Sequence, residues 1–532
     1  MSAAKKTVLV TGATRGIGLA LAEHYLNKLP LYKLVQLDSA DEASIFNIAR
    51  QLRDEPIDLL INNAGIFPRA DLASITKHDL MKTFEVNSVG PFLVTRAFIP
   101  HLKAAAAKNG VAAVAQISSQ LGSIERTKTG GSYSYRASKS ALNMLNASLA
   151  VDLKSDSIAA FVFHPGHVAT DINGHNGPIS TETSVTGLVG TLEKLTIADT
   201  GKFFDYNGES MPCQTAGAFH REDVMENGTW ALEFWALSPY KIVHIDAASK
   251  DSILSAAKEL EGEAIDLLIN NAGIAVADNL QEVTKEGLMR QFEVNAISPF
   301  LVTRAFISHL KAALAKNDSA KVVQISSSLG SITMNSGRYR GLYGYRASKA
   351  ALNMVSKSLA IDLKSDGIAA FTLHPGYVAT DMNAHKGLLS TDESVSGLMG
   401  VIEKLTMDDS GSPFGGMGSS DNVEMYTYLF EKLSGHGLAY LALLDGFGFG
   451  YHDKHFEGPV LATNSYTRDI AEGAVRSGAA DFVAFGRPYI SNPDLAERFE
   501  QDVPLNPDAP YTAYWDPSLG PVGYIDFPVY KA

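Results

Sequence analysis

The sequence has few of the features that mark secreted, metal-binding or membrane proteins. It contains one cysteine, Cys213, so it can form no disulfide within the chain and offers no cysteine cluster for zinc. No other metal-ligand spacing is present, and no metal site is expected. The N-terminal residues lead at once into a predicted strand, which leaves no room for a signal peptide. A reducing compartment is the simplest explanation, and we expect a cytoplasmic protein.

Long apolar runs and net positive charge are also missing. No apolar stretch reaches the roughly 18 residues of a membrane-spanning helix, so no membrane partner is expected. The 58 acidic residues outnumber the 45 lysines and arginines, which gives a formal net charge of −13. That balance argues against nucleic acid or an anionic membrane surface as a partner. With 45% hydrophobic and 19% charged residues, the composition is that of a globular protein with an ample core.

What the sequence does contain is a long internal duplication. The segment Asp58–Gly65 returns letter for letter at Asp266–Gly273, an offset of 208 residues. A repeat of this length indicates a duplicated domain and not a short-period solenoid. We therefore predict four segments, namely a first copy at 1–213, a linker at 214–240, a second copy at 241–414 and an unrelated segment at 415–532.

The first copy opens with a strand, a glycine-rich turn and a helix. Lys6–Val10 is a short apolar run, Thr11–Gly18 carries the glycines, and a helical pattern starts at Leu19. This arrangement presents backbone N–H groups and a helix N-terminus to a pyrophosphate. The candidate cofactor-binding residues of the turn are Gly12, Arg15, Gly16, Ile17 and Gly18.

Strands and helices alternate along the rest of this copy, which predicts an α/β fold with a Rossmann-like, doubly wound parallel sheet. Polar or small residues follow predicted strands at Asn62–Gly65, at Ser119 and at His164–Gly166. Because ligands of such sheets bind at the carboxyl ends of the strands, these residues are candidates for a site. A long amphipathic helix predicted over 80–108 carries Asn87.

The pair Tyr135 and Lys139 is the chemical centre of the copy, and it recurs as Tyr345 and Lys349. On a helix, positions four residues apart lie on one face, so the phenol and the ammonium can point at the same small volume. A nearby cation lowers the pKa of a tyrosine from its usual value near 10. We therefore predict a tyrosine that can exchange a proton near neutral pH. The spacing alone is common by chance, and its meaning comes from the motifs around it.

Together these motifs resemble the classical short-chain dehydrogenases/reductases, and Ile117–Ile124 is similar to the same stretch of the sniffer/C-factor-like carbonyl reductases. The resemblance implies hydride transfer between a nicotinamide and a small-molecule carbonyl or alcohol. It makes Tyr135 the general acid or base, and Lys139 the residue that lowers its pKa and holds the nicotinamide ribose. Ser119 would then hydrogen-bond the substrate oxygen, and Asn87 would hold a water of the proton relay.

NADP(H) is the expected cofactor, because Arg15 resembles the basic position of NADP-preferring members and a guanidinium suits a 2′-phosphate. NAD(H) is the alternative. The family usually places a further strand and helix before the predicted strand Leu34–Leu37, but only Asn27–Lys33 intervenes here. Asp38 therefore resembles the later acid on the adenine side, and cofactor affinity is expected to suffer. The remaining candidate cofactor-binding residues are Asn63, Ala64, Gly65, Pro165, Gly166 and Thr170.

The second copy keeps the catalytic set and loses the cofactor loop. It retains Asn295, Ser327, Tyr345 and Lys349, and it lacks the first strand, the glycine-rich turn and the first helix. Without a helix N-terminus facing the pyrophosphate, independent catalysis by this copy is not expected, and a structural role is favoured. Both copies retain the Asn-bearing and Tyr-bearing helices, through which family members commonly pair. We therefore expect an intramolecular pseudo-dimer, with a homo-oligomer as the alternative.

The C-terminal segment resembles the end of the old yellow enzyme-type flavin oxidoreductases, which are TIM barrels. Predicted strands at 437–445, 459–462 and 481–485 and a helix at 467–477 suggest βα units, hence a partial TIM-barrel-like segment. The resemblance would place Asn464, Ser465, Gly486 and Arg487 at the phosphate of FMN. Only a fraction of a barrel is present, so FMN binding is not expected.

Two hypotheses of different classes follow. The leading one is an NADP(H)-dependent carbonyl reductase with its chemistry in the first copy. Its rival is a catalytically inert nucleotide-binding or scaffold fusion of degenerate oxidoreductase domains. The complete set of Asn87, Ser119, Tyr135 and Lys139 favours the enzyme, whereas the missing strand–helix unit and the partial barrel favour the rival. Binding of NADPH separates the two.

Overall fold

The computed structural model of the chain describes residues 7–27, 33–53, 55–213, 241–333, 335, 340–411, 441–444, 460–463, 468–476, 481–485, 487–506 and 528–529. The chain divides into two compact units, residues 1–419 and 420–532. Both copies of the duplication lie within the first unit, and the C-terminal segment forms the second. The predicted linker lies outside the described residues.

The first copy forms a five-stranded parallel sheet in the order β1-β2-β3-β4-β5. Its elements are β1 (Val8–Val10), α1 (Gly16–Leu26), α2 (Glu42–Gln51), β2 (Leu59–Asn62), α3 (Lys77–Phe84), a π-helical turn (Glu85–Val89), α4 (Gly90–Asn109), β3 (Ala112–Ile117), α5 (Tyr133–Leu153), β4 (Ile158–His164), α6 (Thr181–Leu192) and β5 (Phe203–Asp205). Short 3₁₀ turns lie at Gln120–Gly122, Lys154–Asp156, Asp171–Asn173 and Ile197–Asp199. In register, Leu60 lies opposite Val114, and Val114 opposite Ala160.

Helices cover both faces of this sheet, which confirms the doubly wound α/β prediction. On one face, Leu21 of α1 and Leu188 of α6 pack against Phe161 and Phe163 of β4. On the other face, α2, α3, α4 and α5 pack against residues such as Val114. Because successive side chains of a strand point to opposite faces, a strand buried on both sides is a nearly continuous apolar run. The strands β2, β3 and β4 fit this pattern.

The predicted strand at Leu34–Leu37 is wrong. Residues 33–38 pair with no strand, and Leu34 is 88% exposed. Val35 and Leu37 still pack against the core, so the apolar alternation reflects one-sided burial of an irregular segment and not sheet pairing. Within the described residues β1 is therefore an edge strand, with only β2 beside it. This is the position where the missing strand–helix unit would continue the sheet.

Within the described residues, the second copy repeats this plan with no counterpart of β1 or α1. Its three-stranded parallel sheet has the order β6-β7-β8. The elements are α7 (Lys250–Glu259), β6 (Leu267–Asn270), α8 (Lys285–Phe292), a π-helical turn (Glu293–Ile297), α9 (Ser298–Ala305), α10 (Ile307–Asn317), β7 (Lys321–Ile325), α11 (Tyr343–Leu363), β8 (Ala369–Leu373) and α12 (Thr391–Lys404). Short 3₁₀ turns lie at Ser328–Gly330, Lys364–Asp366 and Asp381–Asn383.

One sheet face of the second copy is open where α1 covers the first. Ile269 of β6 is 41% exposed, whereas the matching Ile61 of β2 is fully buried. Val395 of α12 is 48% exposed, and the matching Val185 of α6 is 2% exposed. The second copy therefore has a weaker core on the side where the first copy has its glycine-rich turn.

The two copies pack against each other through matching helices. The long helices α5 and α11 lie side by side, and the hydroxyl of Ser140 donates to the carbonyl of Ala350 at 3.2 Å. Phe84 stacks on Phe292 with ring centroids 4.6 Å apart. One hydrophobic cluster includes buried residues of both copies. Such contacts bury large aromatic surfaces between the copies, which makes this a core-like interface.

Charged side chains bridge the copies symmetrically at the rim of the same interface. Lys285 pairs with Glu85 at 2.5 Å, and Lys77 pairs with Glu293 in the matching place. These contacts are partly exposed and therefore contribute less than the aromatic core.

The second unit contains a small parallel sheet in the order β11-β10-β9. Its elements are β9 (Leu441–Leu444), β10 (Val460–Thr463), α13 (Arg468–Arg476), β11 (Phe482–Ala484), α14 (Arg487–Ser491) and α15 (Leu495–Gln501). The predicted strands and helix appear here, but the partial TIM-barrel segment is not confirmed, because the described residues form an open three-stranded sheet. An open sheet of this kind leaves backbone groups unpaired at its edges.

Candidate functional site

The glycine-rich turn packs tightly against the end of the neighbouring strand. Gly12 has a φ of +65°, and a Cβ placed on it would lie 2.9 Å from Cα of Ala64. A Cβ on Gly18 would lie 2.1 Å from the carbonyl oxygen of Gly12. Side chains are therefore excluded at both positions, and the backbone of α1 approaches the turn closely. This is the kind of turn that exposes backbone N–H groups to a phosphate.

Asn63 and Thr11 hold the two strand ends together. The Asn63 amide donates to the carbonyls of Thr11 and Gly12, both at 3.2 Å. The Thr11 hydroxyl accepts from the backbone N–H of Asn63 at 3.1 Å and of Ala64 at 3.3 Å. The sequence predicted Asn63 and Ala64 as site residues but missed Thr11. These bonds fix the turn after β1 against the turn after β2.

The loop after β4 closes the other side of the glycine-rich turn. Pro165 accepts a hydrogen bond from Ser184 of α6 at 2.6 Å, and Gly166 adopts a φ of +88°. Thr170 is buried, and a Cβ on Gly16 would lie 3.3 Å from its methyl group. The predicted residues of the two loops are thus brought face to face across the strand ends.

Arg15 and Ile17 have different surroundings within the turn. The Arg15 side chain is 76% exposed and lies 3.7 Å from the Asp171 carboxylate. An ion pair this exposed is weak, so the guanidinium is available to a stronger anion. No side chain caps the N-terminus of α1 from Arg15. Ile17, in contrast, packs into the core between α1 and the sheet, which is a structural position.

Tyr135, Ser119 and Lys139 meet at the carboxyl end of β3. The Ser119 hydroxyl lies near the Tyr135 phenol, and the Tyr135 ring packs on Phe67 with centroids 4.5 Å apart. The Lys139 ammonium nitrogen lies 5.8 Å from the centroid of the Tyr135 ring and donates to the Ile117 carbonyl at 2.7 Å. One residue of this cluster, Phe67, escaped the sequence analysis because nothing local marks it as a neighbour of Tyr135.

The predicted fall in the pKa of Tyr135 is wrong for this structure. Burial raises the pKa of Tyr135 to about 12, and the nearby Ser119 hydroxyl offsets only part of that rise. Burial also lowers the pKa of Lys139 to about 7, so the lysine is only partly charged at neutral pH. Removing both groups from water disfavours both charged forms, and this outweighs their attraction. The phenol is thus held in its protonated form.

Asn87 lies in the π-helical turn and not within a regular helix as predicted. Its side chain accepts from the backbone N–H of Ile66 at 2.8 Å, and donates to the Ile66 carbonyl at 2.9 Å and to Ser138 at 3.1 Å. Such bulges in helices are frequent at functional sites. Both N–H groups of the amide are used, so the side chain fixes the chain after Gly65 and has no donor left for a water. Ser138 is a further site residue that the sequence analysis missed, although it recurs as Ser348.

Asp38 forms hydrogen bonds within its own turn. Its carboxylate accepts from the N–H of Ala40 at 2.9 Å, and its own N–H donates to Ser44 at 3.0 Å. The matching Asp246 of the second copy makes the same bonds to Ala248 and Ser252. Since that copy has no glycine-rich turn, the shared arrangement points to a structural role in starting the following helix. The structure thus gives Asp38 a turn-forming position.

Comparison with known proteins identifies the family of the chain. The model of the short chain dehydrogenase family matches residues 30–178 and 230–388, which together make up more than half of the chain. This chain belongs to the short chain dehydrogenase family. A curated relative, the C-signal protein of Myxococcus xanthus, is 37% identical over 158 residues, which cover 30% of this chain and 93% of that protein.

Solved structures of carbonyl reductases are also similar to this short chain dehydrogenase. An NADPH-bound carbonyl reductase from chicken fatty liver is 32% identical, with a TM-score of 0.37. The match covers 39% of this chain and 98% of the chain of that reductase. The carbonyl reductase Sniffer of D. melanogaster is 31% identical, with the same TM-score of 0.37. The match covers 39% of this chain and 99% of the Sniffer chain. The family and the relatives indicate an oxidoreductase of the short-chain dehydrogenase type.

The second copy of this short chain dehydrogenase keeps the geometry of the first around its tyrosine. Asn295 bonds the backbone of Ile274 and the hydroxyl of Ser348, and the Lys349 nitrogen lies 5.8 Å from the ring centroid of Tyr345. The Ser327 hydroxyl lies near the Tyr345 phenol, whose pKa burial raises. Burial lowers the pKa of Lys349 to about 8. The four residues predicted for this copy therefore come together as they do in the first.

The cofactor side of the second copy is different. Asn271, which matches Asn63, is exposed, and none of the residues that the structure describes forms a glycine-rich turn beside it. Ala275 stands where the first copy has Phe67. Within the described residues, this copy of the dehydrogenase therefore has the Tyr345 cluster without a glycine-rich turn beside it.

The flavin-type prediction for the second unit rests on a short match. The model of the NADH:flavin oxidoreductase / NADH oxidase family matches residues 451–506 only. Asn464, Ser465 and Gly486 lie outside the described residues, and Arg487 begins the short helix α14. No group of three or more His, Cys, Asp and Glu side chains placed to hold a metal ion occurs in the part of the chain that the structure describes. Among those same residues, no helix is long and apolar enough to span a membrane.

Proposed function

We propose that the first copy is an NADP(H)-dependent oxidoreductase that transfers hydride between the nicotinamide and a small carbonyl or alcohol substrate. The observation that supports this proposal is that two parts of a possible site lie side by side. The proton-transfer cluster of Ser119, Tyr135 and Lys139 stands at the same edge of the sheet as a glycine-rich turn whose shape excludes side chains. Open α/β sheets bind their ligands at this edge. Only the first copy has both parts.

The residues of this edge fit a dinucleotide. The close approach of Gly12 and Gly18 leaves the backbone N–H groups at the start of α1 free to face a pyrophosphate. The exposed Arg15 guanidinium would hold a 2′-phosphate, and its weak contact with Asp171 would give way to the doubly charged group. The proposal therefore favours NADP(H) over NAD(H). The adenine side has the least support, because β1 is an edge strand and the Asp38 carboxylate is already bonded to its own turn.

The side chains can supply the proton chemistry of carbonyl reduction. When bound, the cofactor supplies or accepts the hydride. Because burial holds the pKa of Tyr135 near 12, the phenol stays protonated across the neutral range and can donate its proton to a carbonyl oxygen. The Ser119 hydroxyl, already beside the phenol, would donate a second hydrogen bond to the same oxygen. Lys139, when protonated, would stabilise the phenolate left behind.

In this proposal the second copy is the fixed partner of the first and not a second enzyme. Its Tyr345 cluster lacks the neighbouring loop that would hold a pyrophosphate. Its interface helices, by contrast, retain fully buried aromatic residues such as Phe292 and Tyr343. The pseudo-dimer is thus formed within one chain, and the intact chain needs no second copy of itself to complete this interface.

An NADPH titration followed by turnover with a panel of aldehydes, ketones and quinones tests the proposal. We expect saturable binding at about one site per chain, tighter than for NADH. Tyr135→Phe should lower turnover by about 10²–10⁴-fold with little change in NADPH affinity, since it removes only the proton donor. Tyr345→Phe is the matched control and should leave turnover unchanged. Saturable binding without turnover of any carbonyl would support the inert nucleotide-binding alternative, and no binding at all would reject the proposal.

A further inference from the structure

A carboxylate of the second copy lies on the start of the helix that carries Tyr135. Asp362 belongs to the last turn of α11. Its Oδ2 accepts from the backbone N–H of Gly131 at 3.0 Å and from the Tyr133 hydroxyl at 2.6 Å. A Cβ placed on Gly130 would lie only 1.5 Å from its other oxygen. The carboxylate therefore lies against the turn just before α5, and its partner Tyr133 is two residues from Tyr135.

This carboxylate lies at the start of α5, where a cap residue of the same segment would usually place its side chain. The cap residue of α5, Ser132, has a left-handed φ of 50° and makes no side-chain cap hydrogen bond. A negative charge is favourable beside the first N–H groups of a helix. Asp362 supplies that charge from the other copy, held by the Gly131 N–H just before the helix and by the Tyr133 hydroxyl and not by a helical N–H. It does so from the C-terminal end of α11, where an acidic residue is unfavourable for its own helix. The gain must therefore come from the contact with α5.

The second copy shows how the same helix is held without outside help. There, Asp278 follows β6 within its own copy and accepts from the N–H of Tyr343 at 2.6 Å and of Gly344 at 3.3 Å. The N–H of Leu342 also donates to the Asp278 carbonyl, at 3.1 Å. The matching residue of the first copy is Ala70, which has no side-chain acceptor. The helix α11 thus has an internal anchor that α5 lacks.

A pseudo-symmetric contact joins the end of α5 to the start of α11, and it is less important for α11 than the Asp362 contact is for α5. Asp152, in the last turn of α5, accepts a hydrogen bond from the Tyr343 hydroxyl and lies 3.7 Å from Arg340. Since Asp278 already holds the start of α11, this bond is an addition and not a substitute for a cap. The duplication has therefore left the copies unequal, with the first depending on the second for the anchor of its Tyr-bearing helix.

We propose that Asp362 is a positioning residue for the first copy's site, and that the second copy supports the reaction by fixing the start of the Tyr135 helix. The inference rests on the proposed function for its kinetic consequence but not for its structural one. Tyr133, whose ring packs on Phe300 of the second copy at 4.7 Å, extends the same contact into the shared core. Movement of this first helical turn would displace the Tyr135 phenol relative to Ser119.

The test compares two matched substitutions in the full-length chain. Asp362→Asn should lower kcat about tenfold and change KM for NADPH by less than about twofold, because it misplaces a reacting group without touching the cofactor loop. Asp152→Asn removes the negative charge from the pseudo-symmetric contact and should change kcat by less than about twofold. Equal losses in both variants, or no loss in Asp362→Asn, would overturn the proposal.

A designed rescue separates positioning from a general loss of stability. Ala70→Asp copies the internal anchor of the second copy into the first, and should restore most of the turnover lost in Asp362→Asn. A variant that was merely less stable would recover no kcat from this change, and failure of the rescue in a chain that keeps its thermal midpoint would contradict the positioning role.

A readout independent of catalysis keeps the two proposals distinguishable. Hydrogen exchange measured by mass spectrometry should show faster exchange over 131–137 in Asp362→Asn, no such change in Asp152→Asn, and renewed protection after Ala70→Asp. If the wild-type chain oxidised no NADPH, the proposed function would fail, but this exchange pattern would still support the anchor. Unchanged exchange over 131–137 in Asp362→Asn would reject it.

Discussion

Replacement of Lys139 by methionine should stabilise the protein while it abolishes turnover. The Lys139 side chain is buried, and burial lowers its pKa from 10.5 to about 7. Each pKa unit corresponds to about 1.36 kcal/mol, so keeping the ammonium charged in the fold costs about 5 kcal/mol. Methionine fills the same space without a charge. Against this gain stands the Ile117 carbonyl, which loses its partner at a cost of about 1–3 kcal/mol.

The sign of the pH dependence follows from the direction of the shift. Between about pH 7 and pH 10 the unfolded chain holds a proton on this lysine that the folded chain has lost, so the stability of the wild type rises with pH. The cost of Lys139 should fall from about 5 kcal/mol near pH 6 to about 1 kcal/mol near pH 9.5. Lys139→Met should therefore be about 2–4 kcal/mol more stable than the wild type near pH 6. Near pH 9.5 the variant should be as stable as the wild type or slightly less stable.

Thermal midpoints of wild type and variant across this pH range provide the assay. One kcal/mol corresponds to roughly 1–2 °C for a unit of this size, so a difference of several degrees near pH 6 should vanish near pH 9.5. Lys349→Met is the matched control, and because burial lowers the pKa of Lys349 only to about 8, its gain should be smaller. A difference in midpoint that does not depend on pH would refute the reasoning, since the lysine would then not be a desolvated cation.

Two further perturbations test the loop and the lone thiol. Gly18→Ala should raise the Kd for NADPH at least tenfold, about 1.4 kcal/mol, because the new Cβ would lie 2.1 Å from the Gly12 carbonyl oxygen. Gly190→Ala, with nothing within 4 Å of its new methyl group, is the control and should leave binding intact. Burial raises the pKa of the half-buried Cys213 to about 12, so a thiol reagent near pH 8 should label it much more slowly in the native protein than after unfolding. Rapid labelling of the native protein would contradict that assignment.

The elements that could be predicted are those whose signal is local. A strand end was expected just before Ser119, and β3 ends at Ile117, because a strand buried on both faces is a continuous apolar run between turns. Tyr135 and Lys139 were expected on one helix, and both lie in α5. The carboxyl ends of neighbouring parallel strands share one edge, so the meeting of Ser119 with the glycine-rich turn was also accessible from the order of motifs.

What could not be predicted depends on distant residues. The π-helical turn at Asn87 is held by bonds to Ile66 and Ser138, which are remote in sequence, so no helical pattern reveals it. The alternation at 34–37 indicates burial of one side, but whether such a segment pairs depends on a neighbouring strand. The direction of the pKa shift of Tyr135 follows from the depth of burial of both members of the pair, and a four-residue spacing carries no information on depth.

The second copy is well packed on one face and poorly packed on another, and this difference bears on the roles of the two copies. Where the copies face each other, the second is as well packed as the first, and Phe292 and Tyr343 are fully buried. On the face that corresponds to the glycine-rich turn of the first copy, Ile269 and Asn271 of the second copy are exposed. The matching Asn63 is held by hydrogen bonds to that turn. Loss of the glycine-rich turn costs stability on that face only. If the interface served the first copy's reaction, its packing would be retained after the second cofactor site had gone, and this is the pattern that the structure shows.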